Sequence, residues 1–116
     1  MASIASLQYD RGQYQELILK IQQACNYLDS AADETSQIKP TVDRNYTLNE
    51  DSSNVCTIST NVTQEIRDES EFLMNTVLPE VENKISQIDS QIAALEEEER
   101  MRQASITRWN SSGWWY

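Results

Sequence analysis

The stretch Tyr14–Pro40, YQELILKIQQACNYLDSAADETSQIKP, decides the fold. Within it Tyr14, Leu17, Ile21, Ala24, Leu28, Ala31, Thr35 and Ile38 recur at alternating spacings of three and four. That is the a/d spacing of a helix packed along a narrow seam. Ile18 and Cys25 widen the seam on its flanks. The pattern predicts a first helix over about 6–39, with Ser6 as N-cap. Pro40 should end or kink it, because a proline pushes the residue before it out of the helical region.

C-terminal to this stretch the chain turns polar, over about 40–52, and Thr47-Leu48-Asn49-Glu50 has the spacing of a capping box. A second helix is expected over about 53–109. Its apolar face would be Val55, Ile58, Val62, Ile66, Leu73, Val77, Val81 and Ile85, continuing as Ile88, Ile92, Leu95, Ile106 and Trp109 with Glu99 and Arg102 as polar layers. The run of fours from Leu73 to Ile85 is a stutter, which locally unwinds a coiled coil. Pro79 falls inside it, removes one backbone bond and crowds the carbonyl of Asn75, so a kink is expected over Val77–Glu80. The predicted fold is all-α, a coiled-coil-like antiparallel helical hairpin whose long second helix is kinked near Pro79. It would occupy 1–109 as one domain, followed by an aromatic tail over 110–116.

The two arms are unequal. At 1.5 Å per residue the first spans about 50 Å and the second more than about 80 Å. Closed across 40–52, the first helix would cover the second only to about Ile85, leaving Ile85, Ile88, Ile92, Leu95, Ile106 and Trp109 as an apolar stripe. A stripe of that size is usually buried against something. Either the arm folds back at Pro79 or another chain covers it.

Composition narrows the function classes. Two Gly and two Pro in 116 residues favour long helices, and 19 Asp and Glu against 9 Lys and Arg give a net charge of -10. That sign opposes binding to nucleic acid or to an anionic membrane surface. No apolar run reaches the roughly 18 residues a membrane span needs. The chain has no His, which removes Ser-His and Cys-His catalysis and most transition-metal sites. No Gly-rich phosphate loop occurs, because Gly12 and Gly113 stand alone. The acidic run Glu96–Glu99 points around the helix rather than at one cation, and is read as a solvated face with Glu96–Arg100 and Glu98–Arg102 pairs. No catalytic, cofactor or metal residue is assigned, and the chain is expected not to be an enzyme.

Cys25 and Cys56 would lie at different heights of the hairpin and are read as free thiols. Sequons at Asn45, Asn61 and Asn110 carry little weight, since the N-terminus lacks the apolar region of a secretory signal. The tail gathers all three tryptophans, Trp109, Trp114 and Trp115, with Tyr116. Such aromatics either fold back onto the helices or are read by a partner as a signal, with Trp114, Trp115 and Tyr116 as its residues.

Small acidic helical hairpins with an aromatic C-terminus resemble the WXG-like proteins of type VII secretion. The stretch Asn75-Thr76-Val77-Leu78-Pro79-Glu80-Val81, the following ENKISQIDSQIAALEEEERMR and the Trp114-Trp115-Tyr116 end are most similar to small proteins encoded beside LXG toxins. The chain departs from the wider family in having no Trp-x-Gly in the turn and no Tyr-x-x-x-Asp after the second helix. The resemblance implies a non-enzymatic partner or targeting factor that pairs with the helical N-terminal domain of an LXG-type toxin. It also implies a cytoplasmic location before export by a signal-peptide-independent route. The rival expectation is a homo-oligomeric coiled-coil scaffold, a dimer for example, in which the stripe pairs with its own copies.

Overall fold

A computed structural model describes residues 2–45 and 49–111, with side chains up to 108. The chain is an all-α antiparallel helical hairpin. Helix α1 spans Ile4–Ser36, α2 Ile38–Asn45 and α3 Glu50–Phe72; a π-helical turn, Leu73–Val77, leads into α4, Leu78–Ser111. Two compact units divide it: Met1–Glu16 with Glu82–Tyr116, and Leu17–Val81.

The starts of α1 and α3 are capped by reciprocal side-chain bonds. Ser3 and Ser6 exchange backbone-to-hydroxyl bonds of 3.1 Å each, so Ser3 rather than Ser6 is the N-cap of α1. At α3 the Asn49 carboxamide accepts from Ser52 N–H at 2.9 Å while the Ser52 hydroxyl accepts from Asn49 N–H at 2.8 Å. The capping box expected from Thr47 is thus made two residues later. Thr47 itself lies outside the described residues. Glu50 and Asp51, in the first turn of α3, complement the helix dipole.

Pro40 does not end a helix. The chain breaks earlier, at Gln37, and restarts with Pro40 as the third residue of α2. In a first turn the missing N–H costs no intrahelical bond and the fixed φ suits the helix. Much of the expected turn, 40–52, is therefore helical, and the second helix begins at Glu50 rather than near 53.

In the unit Leu17–Val81 the hairpin is antiparallel, because partners fall in number along α3 as they rise along α1. The Asp29 carboxylate accepts from the Ser70 hydroxyl at 2.8 Å, Asp33 lies 3.8 Å from Arg67, and Thr35 bonds Thr63. Ile21, Cys25 and Ala32 of α1 are buried, as are Cys56, Ser59, Thr63 and Ser70 of α3. This seam is small and polar, and it is satisfied. Ser59 and Thr63 donate back to the carbonyls of Cys56 and Ser59 at 2.9 and 2.8 Å, and no described buried side-chain nitrogen or oxygen lacks a partner. Cys25 and Cys56 are both buried and free, as read from the sequence.

The irregularity near Pro79 is the π-helical turn, closed by a Leu78 N–H to Leu73 carbonyl bond. Proline cannot donate to Asn75 and needs room beside that carbonyl; a wider turn ahead of it opens the ladder where the ring sits. The turn also sets which face is buried. Steps of three and four lead from Cys56 through Ser59, Thr63, Ile66, Ser70 and Leu73 to Val77, all buried or half-buried. Steps of four then carry the stripe on from Leu73 through Val77 and Val81 to Ile85, all buried or half-buried, and the extra residue of the π-turn takes up the surplus over the three-and-four alternation.

In the unit Met1–Glu16 with Glu82–Tyr116, Arg11 pairs with Asp89 at 2.6 Å, and Ala2 and Leu7 share an open hollow with Gln91, Ala94, Leu95 and Glu98. Here too the two helical arms run antiparallel. The start of α1 thus reaches past Ile85, to about Glu98. The expected cut-off at Ile85 came from placing the turn too early and starting α1 too late.

Candidate functional site

The apolar face expected inside α3 is largely outside. Val55, Ile58 and Val62 are 47%, 61% and 38% exposed, while the neighbours Cys56, Ser59 and Thr63 are buried. The sequence offers a choice at each step, Val55 or Cys56, Ile58 or Ser59, Val62 or Thr63, and the fold takes the smaller member each time. On α1 too the second residue of Leu17-Ile18, Ala24-Cys25 and Ala31-Ala32 lies further in, though there it is not the smaller one. Small side chains on both helices let two backbones approach closely. Bulky Val and Ile are then displaced outward, one residue round the helix.

At spacings of three and four this outer stripe continues from Val62 through Glu65 and Glu69 to Phe72, which is 54% exposed. Its chemistry is therefore apolar, then acidic, then aromatic. Neither Glu65 nor Glu69 forms an ion pair among the described residues. Gln64 is bonded to Asp68 at 2.8 Å, and Arg67, the one basic residue of α3, reaches Asp33.

The stripe expected further along is mostly used internally. Ile88 is buried, and Ile85, Ile92 and Leu95 are half-buried. Ile106 is exposed, as is every residue over 96–108. The side chain of Trp109 and the tail residues Trp114, Trp115 and Tyr116 lie outside the described residues. The ion pairs of the acidic run are one residue shorter in span than expected: Glu97 pairs with Arg100, and Glu99 with Arg102 at 3.2 Å. Glu99 and Arg102 thus satisfy each other on an exposed face rather than forming seam layers.

Among the described residues no group of three or more Cys, Asp or Glu is placed to hold a metal. No described helix is long and apolar enough to cross a membrane. The hollows within the two units are open surface grooves, one lined by Gln23, Asn26, Tyr27 and Ser30 and another by Lys39, Ser53, Cys56, Thr57, Thr60 and Asn61. Exposed aliphatic side chains beside carboxylates that form no ion pair among the described residues make a surface suited to contact with another chain.

Comparison with known proteins adds no relative: no family model matches the chain, and no curated protein or solved structure matches it significantly.

Proposed function

We propose that this chain is a non-enzymatic helical partner protein, pairing with the helical N-terminal domain of an LXG-type secreted toxin and accompanying it to a type VII secretion machine. The observation that carries the reading is the outer stripe of α3. Val55, Ile58 and Val62 are exposed one residue round the helix from a seam that is already filled. Burying such a side chain from full exposure is worth about 1.5–3 kcal/mol, and with 38–61% of each still exposed a second helix laid on this face gains part of that at each position. An amphipathic helix docking its i, i+3, i+7 anchors is a general recognition mode. The link to the toxin rests on the resemblance of residues 75–102 and of the Trp114-Trp115-Tyr116 end to proteins encoded beside LXG toxins.

The stripe of Ile85, Ile88, Ile92 and Leu95 enters this reading differently from the sequence expectation. Its burial favours a role in holding the start of α1, and the pairing surface is drawn instead on α3. Co-expression with the N-terminal domain of an LXG-type toxin tests the proposal. The pair is expected to co-purify, and Ile58→Asp to abolish co-purification while leaving the helical circular dichroism unchanged. A toxin domain that co-purifies equally well with the Ile58→Asp protein, or never with the unaltered one, contradicts it.

A further inference from the structure

We infer that the outer stripe of α3 is selective for one kind of helix: an amphipathic one with aliphatic residues at its ends and Lys or Arg at its two central seam positions. The inference rests on the partner reading above and specifies the chemistry of that partner. Val55, Ile58 and Val62 form one apolar end of the stripe and Phe72 the other. Between them, at the same helical spacing, stand Glu65 and Glu69, exposed and without an ion pair among the described residues. They occupy seam positions, so an incoming helix must cover them.

Charge decides which helix can do so. An all-aliphatic helix would desolvate two carboxylates with no compensation, which is costly. A second copy of this chain would bring more carboxylates to the face. Glu50, Asp51, Asp68 and Glu71 are also on α3, Arg67 is engaged with Asp33, and the whole chain carries a net charge of -10. A helix with two central cations pairs with Glu65 and Glu69 and is drawn in by the acidic field. Lys and Arg also cover apolar surface with their stems. Polar residues at a few seam positions are the recognised means by which paired helices fix partner and register.

The test uses the full-length protein and a fluorescent synthetic peptide of about three heptads with Leu at its seam positions. One version carries Lys at the two central seam positions and another carries Glu there, and binding is read by anisotropy. The Lys peptide is expected to bind at least about tenfold more tightly than the Glu peptide. Glu65→Lys with Glu69→Lys should reverse that order, and Ile58→Asp should remove binding of both. All three residues are exposed, so the variants should stay folded, which circular dichroism checks. Equal binding of the two peptides, no binding of the Lys peptide, or no effect of the double charge reversal overturns the inference. So does a dimer of the protein alone that Ile58→Asp dissociates, since a second copy would then cover the stripe. If the toxin domain co-purifies but is indifferent to the double charge reversal, the selectivity fails and the pairing stands. If the Lys peptide binds as expected and the toxin domain does not, the toxin assignment fails and the selectivity stands.

Discussion

Ala32 is the least accessible residue of the core, and it shows what the helix contact demands. It stands on α1 three residues before Thr35, whose hydroxyl donates to the Thr63 hydroxyl of α3. The space there is sized for a methyl group. Ala32→Leu is expected to lower stability by about 1–3 kcal/mol through overpacking, measured as a lower denaturant midpoint at unchanged m-value. An unaltered or raised midpoint would mean that the helices are not closely apposed at this height. The same residue-scale preference explains which side chains were legible from sequence. Along α1 the positions Tyr14, Ile21, Leu28 and Thr35 were read on the seam and are buried or half-buried. At the intervening steps two neighbours competed, and hydrophobicity gave no means of choosing Ala32 over Ala31. On α3 hydrophobicity chose Val55, Ile58 and Val62, whereas close approach of the backbones favours Cys56, Ser59 and Thr63. The paired small residues on both helices were the available signal, since Ala and Cys doublets on α1 already imply a narrow seam.

At the scale of elements, the long helical periodicities and the disturbance near Pro79 could be read directly, because a proline and a stutter leave plain marks on a sequence. The form of the disturbance could not. A kink and a π-turn both make room for a proline ring, and only the phase of the buried residues on each side distinguishes them. Deleting Asn75, an exposed residue inside the π-turn, should close it to an ordinary α-turn. Because the deletion removes the one surplus residue that the wider turn holds, Cys56, Ser59, Thr63, Ile66 and Ser70 stay on the inner face. The variant is expected to unfold cooperatively, with a stability lowered by about 3 kcal/mol because Pro79 then crowds a carbonyl of an unwidened helix. Loss of cooperative thermal unfolding in that variant would show that the π-turn does not hold a single surplus residue. Helix ends were harder to place. Ser3 and Asn49 cap with serine as the returning partner rather than Glu or Gln, and Pro40 begins a helix instead of ending one.

At the scale of the whole molecule, the chain pairs its helices through a thin seam and leaves much of its aliphatic surface unfilled. The sequence reading placed an apolar stripe beyond Ile85, where Ile88 is buried, Ile92 and Leu95 are half-buried and Ile106 is exposed. It assumed that the most hydrophobic residues of α3 were spent on the hairpin, so the surplus had to lie beyond Ile85. The structure spends Ser, Thr and Cys there instead, and Val55, Ile58 and Val62 remain outside. The direct measurement of this account is solution mass by light scattering, across a tenfold dilution and then with the LXG-type toxin domain added. The account expects a monomer at every dilution and a one-to-one complex with the toxin domain that Ile58→Asp dissolves. A stable dimer of the protein alone, reduced to monomer by Ile58→Asp, would contradict it and give the stripe to a second copy of the same chain.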